Sequence, residues 1–83
     1  MSAYIPAPIN VLDLNNASGT VPNYFSFATI YNIGGASGTV DFGGGNVLTL
    51  IAGSSLTLPY QGRPYGTFDI NAIGTQIQCI WVP

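Results

Sequence analysis

The chain is predicted to be all-β, a small antiparallel β-sandwich or barrel-like sandwich of six to eight strands with an extended N-terminal arm. Three observations carry that expectation. Apolar and polar residues alternate at period two in run after run. Turn-forming clusters (IGGASG, GGGN, AGSS, QGRPYG and NAIGT) separate these runs at roughly eight- to twelve-residue intervals, the rhythm of a sandwich or small barrel. Strong helix formers are scarce, and Gly or Pro interrupts nearly every window that could hold a stable helix.

Taken in order, residues 1–22 read as the extended arm. Pro6 and Pro8 open it, the short run NVLDL offers one edge strand, and NNASGTVPN continues it. Residues 23–83 read as a single sandwich domain. It begins with YFSFATIYN, which is aromatic and β-branched. In TVDF, Val40 and Phe42 share one face and Asp41 takes the other. NVLTLIA sets Leu48 and Leu50 against Thr49, SLTLPY sets Leu56 and Leu58 around Thr57, and TFDIN sets Phe68 and Ile70 around Asp69. TQIQCIWV closes the chain. The segment ASGTV occurs at 17–21 and again at 36–40, but the flanks do not match, and it reads as small residues leading into a strand.

With 83 residues the chain is one domain. A chain of this size buries only about 60–65% of its unfolded surface, so its own core leaves a thin margin. Small proteins add a staple: disulfides, a metal or association. Cys79 is the single cysteine and there is no histidine, so association is the staple left. Charge points the same way. Asp13, Asp41, Asp69 and Arg63 are all the charged side chains, 5% of residues, where ordinary chains carry about 25%. Such a surface repels its own copies weakly. One cation cannot make a phosphate-binding footprint, which excludes nucleic acid as a charge-driven partner. The uncharged stretch from Leu14 to Val40 is broken by Asn, Ser, Pro and Gly, so no membrane insertion is expected. MSAYIPAPIN has neither the basic region nor the apolar region of a signal peptide. Asn16-Ala17-Ser18 matches a glycosylation acceptor, a tripeptide common by chance.

Gly43-Gly44-Gly45 raises the question of a phosphate loop. Such a loop needs a helix behind it, and here Asn46 and a strand pattern follow. The triple glycine therefore reads as a hairpin turn, with the glycines and Asn46 supplying positive φ. Without histidine or lysine, Ser-His, Cys-His and Ser-Lys pairs are impossible within one chain. Each aspartate alternates with apolar neighbours and belongs on the solvated face of its strand, where it guards against edge pairing. No catalytic residue, cofactor or metal site is expected, and the chain is not expected to be an enzyme.

The surface residues are more informative. In the last strand Ile77, Cys79 and Trp81 are predicted to face the core, which leaves Ile80 and Val82 outward where a monomer would carry polar groups. Tyr24, Phe25 and Phe27 raise the same suspicion of a covered face. These five residues form the candidate interface. Arg63 lies between Tyr60 and Tyr65 in PYQGRPY, either stacked on tyrosine faces as a loop contact or solvated in a turn.

The stretch TVDFGGGNVLTLIAGSSLTLPYQGRPYGTFDINAIGTQIQCIWV, residues 39–82, resembles small structural proteins and accessory domains of bacteriophage virions. The likeness lies in the succession of strand, glycine turn, L-x-L, AG-S, L-x-LP and an aliphatic closing strand. It implies a β-sandwich that coats, cements or decorates capsids, without catalytic residues. The expected partners are further copies of the chain, with a trimer favoured over a dimer or pentamer, and virion proteins such as the major capsid protein. The expected location is the phage particle, with synthesis in the bacterial host cytoplasm. The other reading is a carbohydrate- or receptor-binding β-sandwich module of a tail fibre or spike.

Overall fold

The structure, a computed structural model, describes residues 8–83. Eight strands follow one another: β1 Asn10–Asn15, β2 Ser18–Val21, β3 Phe27–Asn32, β4 Gly38–Asp41, β5 Val47–Leu50, β6 Ser55–Leu58, β7 Phe68–Asn71 and β8 Gln76–Val82. They form two four-stranded sheets, ordered β1-β8-β3-β6 and β2-β7-β4-β5. Every pairing is antiparallel.

The pairing has a simple logic. First strand pairs with last, second with seventh, third with sixth, fourth with fifth. The chain is thus one long double ribbon, closed at β4–β5, that winds across both sheets. The β3–β8 and β4–β7 pairings join its successive turns. This is the jelly-roll form of a β-sandwich.

Period two decides what lies inside. In the first sheet Leu12, Leu14, Ile77, Cys79, Ala28, Ile30, Leu56 and Leu58 share one face through the registers Leu12↔Cys79, Leu14↔Ile77, Ile30↔Cys79 and Ile30↔Leu56. The second sheet answers with Val21, Val40, Leu50, Phe68 and Ile70, and together they form one core. Glycine at position 38 is a matter of space. A Cβ there would lie 2.4 Å from Ile77 Cδ1 and 2.7 Å from the Asn71 carbonyl oxygen.

The arm expected over 1–22 requires correction. Residues 10–21 are two strands, one at the edge of each sheet. Leu12 and Leu14 find their partners in β8 at the far end of the chain. Asn16, left-handed at φ 53°, then turns the chain towards the second sheet, and its N–H donates to the Thr75 carbonyl at 2.9 Å. The rest of the expected arm, residues 1–7, lies outside the described residues.

The triple glycine is a turn. Gly43, Gly44 and Gly45 take φ values of 86°, 61° and 84°, and the Phe42 N–H donates to the Asn46 carbonyl at 2.9 Å across it. Asn46 itself keeps negative φ, so the glycines alone supply the left-handed conformation expected of all four.

Candidate functional site

The outer face of the β1-β8-β3-β6 sheet divides into two halves. Towards one end Asp13, Gln76, Gln78 and Tyr31 point outward, and Gln76 Nε2 donates to Asp13 Oδ1 at 3.0 Å. Towards the other end the registers Val11↔Ile80 and Phe27↔Val82 bring four apolar side chains onto the same outward face. Thr29, the partner of Ile80 on the other side, is buried although it faces outward. Ile9, one residue before β1, is exposed at this end as well.

Three expected interface residues are therefore brought together: Phe27, Ile80 and Val82, each half-buried. Phe25 must be removed from the set. It is 1% exposed, because the chain bends at Ser26 and sends Phe25 into the core instead of continuing β3. Tyr24 is exposed, but in the loop ahead of the strand. Val11 and Ile9 were missed because they lay within the supposed arm. The available signal was parity: if Leu12 and Leu14 face the core, Val11 faces out.

The tyrosine–arginine loop separates. Tyr60 and Arg63 are exposed, whereas Tyr65 turns inward. The Tyr65 ring stacks on Phe25 with centroids 5.1 Å apart and planes at 13°, and its hydroxyl donates to the Pro59 carbonyl. Phe68 meets Phe25 edge-on at 5.5 Å, and Phe42 tilts against Phe68 at 5.5 Å. These rings and Leu58 line a cleft of about 280 Å³ at the end of the sandwich where β3 starts and β6 stops. Two of its polar groups are engaged within the chain: Thr67 Oγ1 donates to the Val21 carbonyl and the Thr67 N–H to Asn23 Oδ1.

Tyr24, the residue before cleft-lining Phe25, is in an uncommon state. An aromatic residue at φ 70° is an outlier, here held by its N–H donating to the Tyr65 carbonyl at 2.8 Å while the Tyr65 N–H donates to the Phe25 carbonyl at 2.8 Å.

The second sheet presents a polar groove of about 600 Å³ on its outer side, where Thr20, Thr39, Asp41, Asp69 and Asn71 are exposed or half-exposed. Asp41 and Asp69 stand directly opposite each other. The Thr20 hydroxyl donates to Asp69 Oδ1 at 2.6 Å, and the Gly43 N–H donates to Asp41 Oδ1 at 2.8 Å. All three aspartates point away from the core, as their alternation predicts. Among the described residues no three His, Cys, Asp or Glu side chains come together as metal ligands would. Cys79 is fully buried, and burial pushes its thiol up to about 12, which makes it an inert apolar residue of the core. No helix among the described residues is long and apolar enough to cross a membrane.

The chain matches no protein-family model and no curated protein. Among solved structures it is similar to the solution structure of a de novo designed double-stranded β-helix, with a TM-score of 0.55 and 15% identity over 92% of this chain and 99% of that one. At that identity the likeness is one of fold. It agrees with the double-ribbon winding of the eight strands.

Proposed function

We propose that the chain is a non-enzymatic structural protein of a phage virion, a capsid-associated or decoration subunit. It packs on copies of itself and on neighbouring capsid subunits through the apolar end of the β1-β8-β3-β6 sheet. The observation that carries this reading is the alignment of Val11, Ile80, Phe27 and Val82 on one outward face. A side chain already half-buried gains less than the ~1.5–3 kcal/mol of full burial, so Val11, still 64% exposed, and Ile9, 69% exposed, hold much of the remaining gain. Scarce charge lowers the repulsion such an assembly must overcome. Purified particles carrying the chain test the reading: Val11→Ser and Ile80→Ser are expected to lower its occupancy on the particle while the isolated chain stays folded. Full occupancy of both variants contradicts it.

The second reading is a carbohydrate- or receptor-binding module. What favours it is the groove on the opposite sheet, where hydroxyl, amide and carboxylate groups suit a polyhydroxylated ligand. Saturable glycan binding that disappears on Asn71→Ala with Thr39→Ala, particle occupancy being retained, selects this reading over the first.

A further inference from the structure

The second sheet ends at β5, and that edge is open. In the order β2-β7-β4-β5, β5 has a hydrogen-bonded neighbour on one side only. Elsewhere an edge carries a guard: Asp13 lies within β1, and Pro59 directly follows β6. β5 has neither charge nor proline, and its pairing with β4 runs without a bulge. No ionised side chain lies between Asp41 and Arg63, so two copies can meet here without like charges facing each other.

The register fixes which backbone groups face out. The Phe42 N–H donates to the Asn46 carbonyl, which makes 42 and 46 a hydrogen-bonded pair of the β4–β5 ladder. Such pairs alternate with non-bonded ones along antiparallel strands. Val40↔Leu48 and Gly38↔Leu50 are therefore bonded, while Val47 and Thr49 aim their N–H and C=O groups away from β4. Ile51 continues that phase. Leu48 adds an apolar observation. It stands opposite buried Val40 and shares its inward parity, yet it is 41% exposed. Among the described residues no strand lies beyond β5 to cover it.

We infer that β5 of one copy pairs antiparallel with β5 of a second copy about a two-fold axis at Thr49, joining two four-stranded sheets into one. Symmetry and backbone chemistry select this register. Directly opposite residues share a face, so a symmetric pair centres on one residue, and that residue must bond outward. Centring on Val47 would set Thr49 against left-handed Gly45, and centring on Ile51 would set it against left-handed Gly53. Centring on Thr49 sets Val47 opposite Ile51 and Leu48 opposite Leu50, with no positive φ among them. Thr49 then exchanges bonds with its own copy, and Val47 exchanges them with Ile51. The Leu48–Leu50 pairs fall at the non-bonded positions, where side chains approach closest, and carry the core across the junction. The contact uses up both edges and closes at two copies. It lies on the other sheet from the apolar face proposed above and does not depend on it. One short strand pair falls well below the ~1,200 Å² of stable interfaces, so it forms where copies are concentrated and joins one oligomer to the next.

Cysteine placement in the full chain reads this register directly, with buried Cys79 as a silent background. Under mild oxidation Thr49→Cys is expected to link to its own copy about tenfold more than Ile73→Cys, an exposed control in the β7–β8 turn. Val47→Cys and Ile51→Cys are expected to link to each other when mixed, and little to themselves. The Thr49→Cys link is expected to persist in a chain that also carries Ile80→Ser. Linking of Thr49→Cys at the control level overturns the inference, as does Val47→Cys linking to itself as readily as to Ile51→Cys. A Thr49→Cys link that vanishes with Ile80→Ser also overturns it, because Thr49 would then approach its copy only through the sheet face. If the link persists while Ile80→Ser leaves the mass in solution unchanged, the edge pairing stands and the sheet-face reading fails.

Discussion

The Thr75 hydroxyl donates to Asn32 Oδ1 at 2.9 Å in the buried interior and ties the β7–β8 turn to the end of β3. Asn32 is 2% exposed and uses its whole side-chain amide. Nδ2 donates to the carbonyls of Ala36 and Leu50 at 2.8 Å each, and Oδ1 also accepts from the Gly34 N–H at 3.1 Å. Asn32→Leu keeps the volume but strands those partners, each costing about 1–3 kcal/mol if left buried and unpaired. Denaturant unfolding is expected to show a loss of at least about 2–3 kcal/mol. A loss below about 0.5 kcal/mol would mean that the network does not hold these loops.

Strand content was legible because alternation is local: Ile77, Cys79 and Trp81 inward with Ile80 and Val82 outward follows from eight consecutive residues. Pairing was not legible, because Leu12 meets Cys79 only after the whole ribbon has wound. Hence β1 and β2 read as an arm with one edge strand at most, and β2, opening on Ser18 and Gly19, has only Thr20 and Val21 of the β-branched residues that mark a strand. Asn32 was hidden for another reason. It shares the inward parity of Ala28 and Ile30, but a polar residue there reads as a strand end unless its four partners are known. Phe25 misled through parity too, since the bend at Ser26 breaks the phase with Phe27.

Two glycines separate space from flexibility. Gly38→Ala drives a methyl group against Ile77 Cδ1 and the Asn71 carbonyl, whereas Gly35, which has no positive φ, has nothing within 4 Å. Gly38→Ala is expected to cost about 1–3 kcal/mol by overpacking and Gly35→Ala close to nothing. Equal midpoints in thermal unfolding would contradict this packing of β4 on β8.

Asp41 and Asp69 are like charges directly opposite across β4 and β7, an unfavourable cross-strand pair. Asp69→Asn keeps an oxygen to accept from the Thr20 hydroxyl and removes the repulsion. Stability is expected to rise at low ionic strength, with the gain vanishing near 1 M salt, where the screening length is about 3 Å. A salt-independent effect, or a loss at low salt, would show that the repulsion is not felt.

Cys79 provides a pH signature. Burial raises its thiol from 9.0 to about 12, so between those values the unfolded chain releases a proton that the folded chain keeps. Stability from this residue is complete below pH 9 and falls as pH rises towards 12. The Cys79→Ala chain is expected to lose less stability than wild type over that range. Native protein at pH 8 should also resist alkylation until it is unfolded. Rapid labelling of the folded chain would place the thiol outside the core.

The central claim is that the apolar end of the β1-β8-β3-β6 sheet is an interface, and sedimentation equilibrium tests it most directly. The wild-type chain is compared with Ile80→Ser, both folded by circular dichroism, across a wide concentration range. The account predicts a wild-type mass that is a small multiple of the monomer, with a trimer expected, and a shift of Ile80→Ser towards the monomer. A wild type that stays monomeric and stable at the highest concentration, unchanged by the serine, would contradict it.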